Sequence, residues 1–277
     1  MERLSNDIRT VEYRLTALCQ KIKEKGIEAF LIKEQQNLFY LTHCWVEGRI
    51  LFSERGKFFI TTPLFAEEAK SKLNDWQIVI QKDSFEENIF EICKGLKIKR
   101  VGFEASHFSF TEYKKLEEIK EIEWVPLFEL IENQRAVKDK KELSWIKKAL
   151  GVSRSAFDYL ESRLEPGITE KDLSIEIINF LRRNADEEAF PPIILFGERT
   201  SLPHGRPTER RLKKNEIVLL DLGAKVGGYC SDLTRTIFFG RVKRKWQEIH
   251  HLITEVQEEA IKKIKPGVSC SYIDKII

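Results

Sequence analysis

The 277-residue chain has little of what would mark a membrane protein, a disulfide-stapled secreted domain or a common nucleotide-using enzyme. No apolar run approaches the ~20 residues needed to span a bilayer. Met1-Glu2-Arg3-Leu4-Ser5-Asn6-Asp7 lacks the apolar centre of a secretory signal, so a cytoplasmic protein with no membrane partner is expected. Cys19, Cys44, Cys93, Cys230 and Cys270 are odd in number, scattered and without CxxC spacing. That speaks against a disulfide frame or a cysteine-based zinc site and for reduced thiols. P-loop, GxSxG, GxGxxG and HExxH motifs are all missing. A charge excess is missing too: 47 Lys and Arg against 44 Asp and Glu leave +3, too little to call for a nucleic-acid or anionic-membrane partner.

What is present is enough apolar material, 42% of residues, for about two packed domains on a prior of ~150 residues each. Ile8, Val11, Leu15, Leu18 and Ile22 recur at helical spacing from Asn6 to about Lys25, and Gly26 is placed to stop that helix. Short strands and helices then alternate. Ala29–Ile32 and Leu38–Leu41 read as strands, and Ile50–Phe52 with Phe58–Thr61 as a hairpin. A helix at about Leu64–Leu73, a strand at Gln77–Ile80, a helix near Glu87–Cys93 and a strand at Arg100–Phe103 follow. This pattern predicts an α/β layer domain. The polar stretch Asn133–Lys141 reads as the domain junction, a solvated linker leading into a helix start. Two long helices, Glu142–Leu164 and Thr169–Arg183, are expected beyond it, the second opened by Thr169 with Asp172 three residues on.

Leu164-Glu165-Pro166-Gly167-Ile168-Thr169 is echoed by Ile264-Lys265-Pro266-Gly267-Val268-Ser269, each ending one helix and opening another. Two copies of a helix–Pro-Gly–helix unit predict a fold built from duplicated halves.

Between the copies lies Glu216-Ile217-Val218-Leu219-Leu220-Asp221-Leu222-Gly223, a turn, and Tyr229-Cys230-Ser231-Asp232-Leu233-Thr234-Arg235-Thr236. A hairpin turning between Val226 and Gly227 would set Asp221 opposite Asp232. Facing Cβ atoms lie ~5 Å apart, where like charges repel. An apolar strand that delivers one acid beside another is explained by a divalent cation, or a pair of them, held between the carboxylates. Taken singly, Asp221 reads more readily as an ordinary residue before a glycine-containing turn, and Asp232 as a solvent-facing strand residue. Asp232, Thr234 and Thr236 share one strand face, which favours a lined cavity.

His204, in Leu202-Pro203-His204-Gly205-Arg206-Pro207, is a candidate acid, base or oxyanion stabiliser on a loop stiffened by prolines; a capping or surface histidine is the bland alternative. His250 and His251 fall in a helical pattern, where His251 and Glu255 form a surface i,i+4 pair better than a metal site. His43 and His107 have no chemical neighbours in the sequence.

The block Phe196–Gly205, followed by Asp221-Leu222-Gly223 and Ser231–Thr236, resembles the creatinase/aminopeptidase P family. These are pita-bread metallopeptidases that include Xaa-Pro aminopeptidases and Xaa-Pro dipeptidases. The resemblance implies a mixed α/β (α+β) protein. A creatinase-type N-terminal domain would occupy 1–134, and a pita-bread metallopeptidase domain missing its C-terminal part would occupy 135–277. It also implies that Asp221 ligates one metal, Asp232 bridges two, and His204 contacts the substrate near the scissile carbonyl. A hydroxide bridging two divalent ions (manganese, cobalt or zinc) would attack an N-terminal Xaa-Pro bond. The implied partner is a peptide with proline at its second position, and a homodimer is expected on the same ground. The family uses five side chains for its metals, and the remaining His and two Glu would lie downstream of Ile277. The chain is therefore expected to bind metal weakly and to have negligible peptidase activity. A non-catalytic pita-bread binding protein and a metal-free C–N hydrolase are the alternatives, both disfavoured by the acid pair. A methionine aminopeptidase is disfavoured by the extra N-terminal domain.

Overall fold

A computed structural model describes the backbone of residues 2–277 and the side chains of residues 10–277. The chain forms two compact units, one reaching Val137 and one starting at Lys138.

The first unit is a six-stranded sheet of β1 (Ala29–Ile32), β2 (Arg49–Ser53), β3 (Gly56–Thr61), β4 (Gln77–Ile80), β5 (Arg100–Glu104) and β6 (Glu123–Leu127), in the order β4-β3-β2-β1-β5-β6. Pairing is antiparallel for β1–β2 and β2–β3, and parallel for β3–β4, β1–β5 and β5–β6. Its helices are α1 (Glu2–Glu24), α2 (Gln35–Thr42), α3 (Ala66–Lys72), α4 (Phe85–Leu96), α5 (Phe110–Glu117) and α6 (Glu132–Ala136). The period of two sends Phe30 and Ile32 to one core with Leu15, Leu18 and Ile22 of α1, and Ala29 and Leu31 to another with Ile89 and Cys93 of α4. Both faces are covered, which is why β1 is apolar at every position. Gly26, at φ 65°, ends α1 as its position predicts. Ile8, part of the predicted face, lies outside the described side chains.

Two expectations fail here. Leu38–Leu41 lies in α2, not in a strand. Asn37 through Tyr40 and Leu41 are all buried, so the helix shows no polar face, and a short apolar run carries no period to tell helix from strand. Strand β6 is absent from the sequence reading because Pro126 interrupts its apolar run; it is an edge strand, where proline is tolerated.

The second unit opens with α7 (Lys140–Arg163) and α8 (Glu170–Asn184). Asp139 caps α7 through a reciprocal box with Glu142, and Thr169 Oγ1 accepts from the Asp172 N–H at 2.9 Å. The strands are β7 (Glu187–Glu188), β8 (Ile193–Phe196), β9 (Glu216–Leu222), β10 (Ala224–Val226), β11 (Tyr229–Cys230) and β12 (Leu233–Phe239), followed by α9 (Arg244–Lys263) and α10 (Cys270–Asp274). They form two three-stranded sheets, β12-β9-β8 and β11-β10-β7. Val218, Leu220 and Leu222 pack with Ala156, Phe157 and Leu160 of α7 and with Leu173, Ile177 and Leu181 of α8. The opposite face of β9 carries Ile217, Leu219 and Asp221.

The internal repeat is visible in the backbone. Leu164 and Ile264 end α7 and α9 with φ/ψ of −70°/113° and −69°/113°. Gly167 and Gly267 have φ of 99° and 88°. Thr169 and Ser269 each cap the next helix from the side chain.

Candidate metal and catalytic site

Asp221 stands at the end of an otherwise apolar strand, and its surroundings are built by the turn that follows. Gly227 and Gly228 both have positive φ, 60° and 81°, as a two-residue hairpin turn matching the strand twist requires. The turn is therefore centred between these two glycines, one residue later than expected. Across the pairing, Asp221 faces Thr234 and Leu222 faces Leu233; Asp232 is not directly opposite Asp221. Because the shift moves the partner by two positions, Asp232 keeps the face that Asp221 uses. It becomes a diagonal neighbour, a relation that spans ~7–8 Å between strands.

The hairpin is fixed to α7 beneath it. Ser153 and Ser231 hydroxyls lie 2.8 Å apart, and the Ala224 N–H donates to both at 3.1 Å. Gly227 lies against Trp145, and Tyr229 donates its hydroxyl to Glu142 at 3.0 Å. At Gly223 a Cβ would collide with the Ser231 carbonyl oxygen, so only glycine lets the two strands approach beside the acids.

Asp221 is half-buried and Asp232 exposed. Burial pushes the Asp221 carboxyl above the usual range and the nearby Asp232 charge adds to this, while the Thr234 hydroxyl, donating to Oδ1 at 2.9 Å, and His204 pull it down. His204 and Asp232 are thus both electrostatic neighbours of Asp221. His204 is exposed on the loop that returns over β8: Gly205 packs on Leu195, which faces Leu219 across the strands on the Asp221 face. Beyond Leu219 the same face continues into a groove of about 590 Å³, lined by Ile217, Thr236 and Phe238 and by Trp246 and Ile249 of α9.

Two carboxylates suit a hard divalent cation, but they do not complete a coordination sphere. Among the described residues no group of three or more His, Cys, Asp or Glu side chains is arranged to hold a metal. The residues present thus fit part of a metal site.

The other histidines lie outside the acid pair, His250 among the residues lining the groove beyond Leu219. His250 and His251 are on α9, the former edge-on to Phe238 and the latter 3.3 Å from Glu255, in line with a helix-surface pair. His107 and His43 do have chemical neighbours, contrary to expectation. His107 lies between Glu34 and Glu132, 3.0 Å from each, and His43 is 3.3 Å from Arg14. These partners come from distant segments, which no local motif reveals. Sequence reading also missed Glu170, buried behind the His204 loop; an acid in the first turn of a helix is too common to attract notice.

The second unit thus brings Asp221, Asp232 and the His204 loop into one neighbourhood on a helix-backed sheet. Residues 14–137 match the Creatinase/Prolidase N-terminal domain, and residues 144–277 match metallopeptidase family M24. An uncharacterized peptidase of Staphylococcus epidermidis is 30% identical over 263 residues, covering 92% of this chain and 74% of that protein. A Xaa-Pro dipeptidase of Pyrococcus horikoshii is 29% identical, covering 95% and 74%. The structure of a Xaa-Pro dipeptidase from Bacillus anthracis superposes with a TM-score of 0.89 at 29% identity, covering 96% of this chain and 76% of that one. The chain belongs to metallopeptidase family M24, with the pita-bread fold of the prolidase structures preceded by a creatinase-type domain. It spans about three quarters of the length of these relatives. No helix among the described residues is long and apolar enough to cross a membrane.

Proposed function

We propose that this chain carries the first part of a two-metal exopeptidase site directed at Xaa-Pro peptide bonds. The observation that carries the reading is the shared sheet face: Asp221 and Asp232 lie on it as diagonal neighbours, with His204 close enough to influence the Asp221 carboxyl. Asp221 and Asp232 act as metal ligands, and the family's two divalent ions (manganese, cobalt or zinc) supply Lewis-acid polarisation of the scissile carbonyl when bound. His204 donates a hydrogen bond to the carbonyl oxygen as it gains charge. The substrate class is a peptide with proline second, after the relatives named above, and the unpaired thiols fit action in the cytoplasm.

Two carboxylates hold a divalent ion weakly, so the 277-residue chain alone has negligible peptidase activity. Incubation of the purified chain with a Xaa-Pro dipeptide and Mn²⁺, Co²⁺ or Zn²⁺ tests this: no cleavage above buffer is expected, and robust turnover overturns it. The alternative reading is a pita-bread protein that binds peptides without cutting them. Metal-independent binding of a proline-second peptide, unchanged by Asp221→Asn, would decide for it.

A further inference from the structure

We infer that Glu170, the first residue of α8, is a positioning residue that holds the His204 loop against the Asp221 face of the sheet. The inference rests on the reading of His204 as a site residue. Glu170 is fully buried, yet its carboxylate gathers four donors. The Phe196 N–H reaches Oε1 at 2.9 Å, Arg199 Nε lies 3.2 and 3.1 Å from the two oxygens, and the Thr208 N–H and hydroxyl reach Oε2 at 2.9 and 2.8 Å. Phe196 precedes the loop and Thr208 follows it, so one carboxylate ties both ends.

Arg199 extends the tie inward, donating from Nη2 to the Arg206 carbonyl at 2.8 Å. Within the loop the Gly205 N–H donates to the Leu202 carbonyl at 3.1 Å. A Cβ on Gly205 would lie 2.8 Å from Leu195 Cδ1, so the segment carrying His204 is pressed onto the sheet. Leu195 faces Leu219, two residues from Asp221 on the same side. Capping of α8 does not require Glu170, because Thr169 already performs it. Burying a carboxylate with a cation partner is a poor source of stability in itself, whereas a pinned loop fixes the direction of a side chain at its tip.

The test uses the full chain labelled with ¹³C-histidine, with the His204 ring signal assigned by H204Q and observed at fixed pH. Asp221→Asn is expected to move that signal in the otherwise native chain. In Glu170→Gln the same change should move it about threefold less, because coupling between neighbours is lost when the element joining them is released. Circular dichroism and the His250 and His251 signals report whether the variant is folded. Thr208→Val and Arg199→Lys each remove one tie and should reduce the response by a smaller factor. If Glu170→Gln does not fold, these two decide. An undiminished response in folded Glu170→Gln, or in both milder variants, overturns the positioning role and leaves His204 as a site residue. No response to Asp221→Asn in the native background overturns the His204 reading and this inference with it.

Discussion

Asp221 owes its raised carboxyl pKa first to burial and then to the neighbouring Asp232 charge. It is only half-buried, but it ends a strand whose other residues are apolar and it shares a face with a second acid. Neighbouring carboxylates remain charged together at a cost that a cation removes, which is the physical basis for a metal role. The opposite case is Glu112 in the N-terminal unit. Burial works to raise its pKa, but Lys33 Nζ and the Ser109 N–H and hydroxyl override this and hold the carboxyl at about 2. An unfolded glutamate titrates near ~4.3, so the folded value is depressed and ionised Glu112 contributes stability above that pH. The contribution is lost as pH falls from about 4 toward about 2. Denaturant unfolding across this range should show a stability decline that flattens in Glu112→Gln; an unchanged slope would contradict it. Among the thiols, burial pushes Cys93 up to about 12, leaving about one part in ten thousand as thiolate at pH 8. Alkylation of the native chain should label exposed Cys270 and spare Cys93.

The hairpin register belongs to the scale of elements, and cysteine pairs test it. In a chain with its five native cysteines replaced by serine, Asp221→Cys with Thr234→Cys should close a disulfide on mild oxidation. Asp221→Cys with Asp232→Cys should close far less, because the diagonal separation exceeds the ~3.5–4.5 Å between Cβ atoms that a disulfide needs. The reverse ranking would restore the register expected from sequence. Leu220→Ala, which empties a fully buried site between the sheet and the α7–α8 layer, should cost about 2–5 kcal/mol by denaturant titration. These elements also mark where sequence stopped being informative. The helix caps at Thr169 and Ser269 and the Pro-Gly repeat were legible because they are local. The turn centre was misplaced although a local signal marked it: Gly227 and Gly228 both take positive φ, which a β-branched residue such as Val226 resists. Helix α2 lacked a polar face to reveal its period, and Glu170 gained its meaning only from Phe196, Arg199 and Thr208 folded around it. The candidate residues Asp221, Asp232 and His204 were named from sequence, but the geometry relating them was not.

At the scale of the whole molecule, the sheet of the N-terminal unit is covered on both faces by helices of its own unit. Residues 1–137 expressed alone should therefore melt cooperatively with mixed α/β circular dichroism; a non-cooperative trace would contradict an independent core. The proposed chemistry belongs to the C-terminal unit, and its claim to a metal rests on two acids acting together. Electron paramagnetic resonance of Mn²⁺ measures this most directly, through loss of the free-ion signal on adding the chain. Weak, saturable binding is expected, disappearing in Asp221→Asn and equally in Asp232→Asn. Binding that survives both substitutions would contradict the claim.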